Sequence, residues 1–217
     1  PGVAKLNNIL AKESASVVTG QVKWIVKNPA SPANLYAIDG AGVSYNSSDS
    51  GDSWASLSDR VGTGQGAIVW KDYLIIAEDD ALDVYGPLSG SPTWTTGWKT
   101  IDTDSNWHPM IVSKLDGKVY GGAGRYVFSI EENSGQNFAP GTAATFAFTQ
   151  QAVDLPEDYM IKCLAEQGNN LMIGVWQGTN IYDIKIADIF PWDRSSTSFG
   201  QPIQINENGV HGMLNIN

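Results

Sequence analysis

Cysteine is nearly missing from this chain: its 217 residues include one, Cys163. No intrachain disulfide framework is therefore possible. The apolar neighbours in MIKCLAEQG mark Cys163 as a buried, inert thiol, since free Cys is among the most buried residue types. Basic residues are also scarce. Thirteen Lys and Arg stand against 23 Asp and Glu, a net charge of -10. With no basic stripe to offset phosphate, nucleic acid is excluded as the main partner. The acidity reads first as solubility, with calcium binding as the second reading. No apolar run approaches the roughly 18 residues of a spanning helix, so no membrane span is expected. No secretory signal is visible, and the chain opens on Pro1 without Met. It reads as a processed or partial product.

What is abundant is glycine, at 23, together with eight Trp and eight Tyr. That mixture suits many short strands joined by tight turns. Four segments align as repeats: NLYAIDGAGVSY from Asn34, DYLIIAEDDALDVY from Asp72, GKVYGGAGRYVFSI from Gly117 and NNLMIGVWQGTNIYDI from Asn169. Each holds two strands about a short turn. Each is preceded by an apolar strand: VKWIVKN at Val22, GAIVW at Gly66, MIVSKL at Met110 and IKCLAE at Ile161. Each is followed by a longer loop and a fourth extended run: WASLSD at Trp54, GWKTID at Gly97, TFAFTQQAVDL at Thr145 and FGQPIQIN at Phe199.

Four strands per unit, recurring about every 40–50 residues, is the grammar of a β-propeller blade. The fold class expected is all-β, with about four four-stranded antiparallel blades. They would occupy residues 22–60, 61–103, 104–157 and 158–208, after a lead-in at 1–21 that is a short helix near Ala4–Ser14 or the outer strand of a preceding blade. GVHGMLNIN, residues 209–217, reads as the first strand of a fifth unit. The expectation is a piece of a larger propeller of about six to eight blades.

Between the third and fourth strands of the first unit stands SSDSGDSW. Ser47, Asp49, Gly51 and Trp54 complete the pattern S-x-D-x-G-x-x-W, which resembles the Asp-box, or BNR repeat, of sialidases and related propellers. Asp at such a turn accepts backbone N–H bonds two or three residues on, Gly51 supplies a positive φ, and Trp54 packs into the blade. A degenerate copy, EENSGQNF, places Asn133, Gly135 and Phe138 at the Asp, Gly and Trp positions. The resemblance implies a structural motif lying away from any catalytic face.

Candidates for chemistry are few. A sialidase-like resemblance implies an arginine clamp for a carboxylate, because the guanidinium fork pairs bidentately. The chain has three arginines, Arg60, Arg125 and Arg194. They fall in nonequivalent loops, and neither the family's early arginine motif nor its Tyr–Glu nucleophile pair can be placed. The acidic pairs at Glu78, Asp79 and Asp80 and at Glu131 and Glu132 read as solvated loop tips. Asp154, Glu157 and Asp158 could face a cation but lack the alternation of a calcium loop. His108 and His211 precede inner strands in equivalent places and could share a metal, with no third ligand evident. Trp107, Trp176 and Trp192 could stack on sugars, interblade packing being the alternative.

The C-terminal run from Phe190 also resembles, in general pattern, propeller regions of tailed-bacteriophage tail and virion proteins. Together these readings give a non-enzymatic scaffold or interaction module with no catalytic residues, no metal and no cofactor. Its expected partners are other protein subunits and a cell-surface glycan, and its expected location is virion or extracellular. The alternative is a glycan-binding or sialidase-like glycoside hydrolase propeller.

Overall fold

The computed structural model describes residues 18, 20–57, 62–103, 107–132, 146–177, 186–205 and 213. Among them are sixteen strands and no helix, hence no helix long and apolar enough to cross a membrane. The strands form four separate four-stranded antiparallel sheets, each running in chain order from one edge to the other. The expected lead-in helix, the degenerate copy at Asn133, Gly135 and Phe138, and nearly all of the fifth-unit strand lie outside the described residues.

The chain divides into two compact units after Trp98. The first unit holds two sheets. One comprises β1 (Val22–Lys27), β2 (Leu35–Asp39), β3 (Ser44–Ser47) and β4 (Ala55–Leu57). The other comprises β5 (Gly66–Trp70), β6 (Tyr73–Ala77), β7 (Ala81–Gly86) and β8 (Thr93–Thr100). Strand alternation decides the packing. One face of β2, through Tyr36 and Ile38, joins Ala67 and Val69 of β5 and Leu74 and Ile76 of β6 in a single buried cluster. Ala37, on the opposite face of β2, packs with Tyr45 and Trp54. A strand covered on both faces has to be apolar throughout, which is why YLIIA in β6 carries no polar position and is wholly buried.

The second unit repeats the plan. Its first sheet comprises β9 (Met110–Val112), β10 (Val119–Ala123), β11 (Tyr126–Glu132) and β12 (Phe146–Asp154). Its second comprises β13 (Tyr159–Gln167), β14 (Asn170–Gln177), β15 (Ile186–Trp192) and β16 (Ile203–Ile205). Tyr120, Val127 and Val153 of the first sheet meet Ile161, Ile173 and Phe190 of the second in one core.

Two strands differ from the sequence expectation. The third strand of the last sheet is β15, not the NIYDI run, which lies outside the described residues. The register partner of Pro191 on β14 is Met172, whereas β16 pairs only with Ala187–Ile189. Pro191 therefore sits past the doubly paired stretch, where a missing N–H is tolerated. The outer strand of the second sheet starts at Thr93, four residues before Gly97. Gly97 is a kink inside the strand: its φ is 60° and its N–H donates to the buried Asp83 carboxylate at 2.7 Å.

Candidate functional site

In the β3–β4 turn, Ser47 is buried and its hydroxyl works in both directions. It donates to Asp49 Oδ1 at 2.7 Å and accepts the Gly51 N–H at 2.8 Å. Asp49 Oδ1 also accepts the Ser53 N–H at 2.8 Å, while Oδ2 takes the Ser53 hydroxyl. The reach is four residues, longer than the two or three expected, because Ser50 and Gly51 both turn through positive φ, 65° and 94°. The Ser50 N–H donates to the Ala33 carbonyl at 2.9 Å, tying the turn to the β1–β2 loop. Trp54 closes the turn at 6% exposure.

Hydrogen bonds from the Ser53 hydroxyl, then the Ser53 N–H, then Ser47, hold the Asp49 carboxyl down to about 2. A carboxyl whose folded value lies below its unfolded value contributes stability above the unfolded value, near 3.8, and loses it as pH falls towards 2. Asp49→Ala is therefore expected to lower the thermal midpoint at pH 7 by about 2–4 °C. The gap between variant and parent should narrow between about pH 4 and pH 2. Thermal melts followed by circular dichroism across that range measure it, and a pH-independent gap would contradict it.

The described arginines do not converge. Arg194 lies in the β15–β16 loop with its side chain 5% exposed, against a Glu166 side chain 7% exposed, at 2.6 Å. Its other guanidinium nitrogen donates to the Asn169 carbonyl at 2.9 Å, and the guanidinium sits 5.5 Å from the Tyr120 ring centre. Glu166 Oε2 accepts the Lys114 N–H at 2.9 Å. Tyr120 donates to Asp116 at 2.7 Å and meets Trp192 edge to face. Burial works to raise the Asp116 carboxyl, but bonds from Tyr120, Ser113 and Lys118 with the Arg194 charge hold it below its ordinary value. Arg125, in the β10–β11 turn, pairs with Asp154 at 3.0 Å and donates to the Tyr126 hydroxyl at 2.9 Å. The Gly124 carbonyl beside it accepts from Ile161, near the start of β13, whereas Arg194 sits against the end of β13. Five residues of extended strand, about 16 Å, separate those points. Arg60 lies outside the described residues.

The acidic candidates divide. Glu78 is not a solvated tip: it is 8% exposed and its carboxylate lies against Gly62, where a Cβ would meet Oε2 at 2.2 Å. The missing side chain at Gly62 leaves the room that the carboxylate occupies. Asp79 accepts the Thr63 hydroxyl at 3.0 Å, Asp80 is exposed, and Glu131 pairs with Lys118. Asp154 and Glu157 both face Arg125, so that cluster carries its own cation. Among the described residues no three His, Cys, Asp or Glu gather as metal ligands.

His108 is fully buried with Nδ1 at 2.9 Å from the Gly122 carbonyl, and His211 lies outside the described residues. Trp192 is 3% exposed and donates to the Ser196 carbonyl, which removes it as a sugar platform. Trp176 is half-buried beneath the Lys162 ammonium, and Trp107 is 37% exposed with its indole N–H on the Lys162 carbonyl. Cys163 is buried, and burial pushes its thiol up to about 11. Tyr159 donates to Asp188 at 2.7 Å. Burial, then that bond, pushes its phenol up to about 12, opposite to what an activated nucleophile needs.

No protein-family model and no curated protein sequence matches the chain. Solved structures do match its fold. The extracellular domain of BT4673 from B. thetaiotaomicron, described as a hybrid two-component system, superimposes with TM-score 0.59 at 17% identity over 89% of this chain and 24% of its own. PorZ, a surface component of the type-IX secretion system of Porphyromonas gingivalis, matches with TM-score 0.56 at 14% identity over 92% of this chain and 29% of its own. YCF48 from Cyanidioschyzon merolae matches with TM-score 0.54 at 13% identity over 89% and 61%. The chain thus spans about a quarter of the first of these proteins. With four four-stranded antiparallel sheets in succession among its described residues, the chain has the blade architecture of a β-propeller.

Proposed function

We propose that this chain is a non-enzymatic propeller module that holds partners within a larger assembly on an extracellular or virion surface. A structural or adhesion part of a phage tail is the specific form. The observation that carries the reading is the employment of its polar groups. Asp49 serves its own turn, Arg194 a buried pair with Glu166, Arg125 the carboxylate of Asp154, and His108 a backbone carbonyl. Catalysis by a propeller needs such groups gathered, and perturbed, at one concave place.

The S-x-D-x-G-x-x-W turn supports the finer assignment to Asp-box repeats, with Ser47, Asp49, Gly51 and Trp54 as structural residues. The phage form rests on the pattern of the C-terminal run. Extracellular and surface proteins among the structural neighbours add weight to the location. Other protein subunits are the partners this reading requires.

The test is an assay of the purified protein against sialosides and a panel of polysaccharides. The expected result is no turnover above a protein-free control. Turnover that is abolished in folded Arg60→Ala or Arg125→Ala variants would make the chain a hydrolase and defeat the reading.

A further inference from the structure

We propose that the first unit carries a binding site for a neutral saccharide in the cleft between β4 and the β7–β8 pair. The cleft holds about 480 Å³, within the range of small-ligand sites. Tyr85 and Trp94 form its aromatic wall, with ring centres 4.7 Å apart and planes inclined by 39°, an open V. Both rings are half-buried and pack against the Tyr36–Ile76 core on their inner side. Their positions are thereby set before any ligand arrives, which lowers the ordering cost of binding. The Trp94 indole N–H is itself buried and has no acceptor within the protein, so the ring, and not its N–H, is what the cleft presents. Around the rings stand the exposed hydroxyl residues Ser56, Thr93 and Thr96.

The lining decides the ligand class. None of the described lining residues is charged, although the chain as a whole carries -10. An anionic ligand would meet the chain's net negative charge and no compensating cation among the described lining residues. A cationic one would find no carboxylate among the described lining residues. A purely apolar one would cover three hydroxyls without answering them. A neutral saccharide offers a face of C–H groups to the rings and hydroxyls to the rim. Trp94 and Tyr85 would fill the platform role for which the sequence offered Trp107, Trp176 and Trp192, with interblade packing as the alternative. The signal was the Thr-rich outer strand TWTTGWKT.

This site is separate from the residues on which the scaffold reading rests. Hydrolysis of a bound sugar would defeat that reading and leave the cleft standing, whereas absence of binding would defeat the cleft alone. The experiment is saturation-transfer NMR and calorimetry on the purified chain. The neutral probes are gluco-, galacto- and mannotetraoses, with sialyllactose as the charged comparator. Binding of a neutral tetraose in preference to sialyllactose is expected, weakened about tenfold or more in Tyr85→Ala and Trp94→Ala. Thr96→Glu places a charge on the exposed rim away from the core. It should weaken binding similarly while leaving the thermal midpoint in place, and Trp107→Ala should change nothing. Failure of all the neutral tetraoses to bind, preference for sialyllactose, or binding indifferent to Trp94→Ala and Thr96→Glu overturns the proposal.

Discussion

Replacing Arg194 with Met is expected to cost about 3–5 kcal/mol of folding stability. Its pair with Glu166 is 2.6 Å long between side chains only 5% and 7% exposed. Without the guanidinium, the buried Glu166 carboxyl would lose its ion-pair partner, and the Lys114 N–H at 2.9 Å is far too little to offset the loss of water. The Asn169 carbonyl and the Tyr120 ring would lose their cation as well. Asp116 would lose the charge that helps hold its carboxyl low. Equilibrium unfolding in urea measures the effect. The double variant Arg194→Met/Glu166→Met should recover most of the loss, because a buried ion pair and a well-packed apolar pair are close in stability. A single variant within about 1 kcal/mol of the parent would show that the pair is solvated in practice.

Gly121→Ala is expected to cost about 1–3 kcal/mol through overpacking. Gly121 stands directly opposite Phe128 in the β10–β11 register, and the fully buried Phe128 ring lies over it. A Cβ at Gly121 would come within 2.0 Å of the ring's Cζ. A flexible side chain could swing aside, but a ring with no exposed surface has nowhere to go. An aromatic folded over a strand glycine is a known way to protect the exposed backbone of that glycine. The pairing predicts a compensating change: Gly121→Ala/Phe128→Leu should be more stable than the sum of the two single costs implies. Strict additivity in a four-member denaturation cycle would mean the ring is not wedged against the glycine.

These two sites show what could and could not be read along the chain. Gly121 sits inside VYGGA, and a glycine pair in a strand already signals close approach. What approaches was hidden until the register with β11 was known. Asp49 was legible together with its partners, because every group it binds lies within four residues. Arg194 and Glu166 are 28 residues apart and meet only because a β15–β16 loop folds back onto the β13–β14 turn. No local pattern carries that. The blades were legible because strand alternation and turn glycines are local too. Gly97 misled the reading, as a start placed inside a strand. Glu78 was misread because its carboxylate lies against Gly62, which belongs to a different turn.

We propose that the conspicuous polar residues among those described are committed to internal bonds. Residue-resolved amide hydrogen exchange tests this most directly, at the N–H groups of Gly51, Ser53 and Lys114. Their acceptors are the Ser47 hydroxyl, Asp49 Oδ1 and Glu166 Oε2. None of these bonds belongs to a strand ladder, so protection at these amides reports the side chains themselves. The predicted result is slow exchange at all three, with protection lost at Ser53 in Asp49→Ala and at Lys114 in Glu166→Met. Exchange at open-chain rates in the unaltered protein would contradict the account.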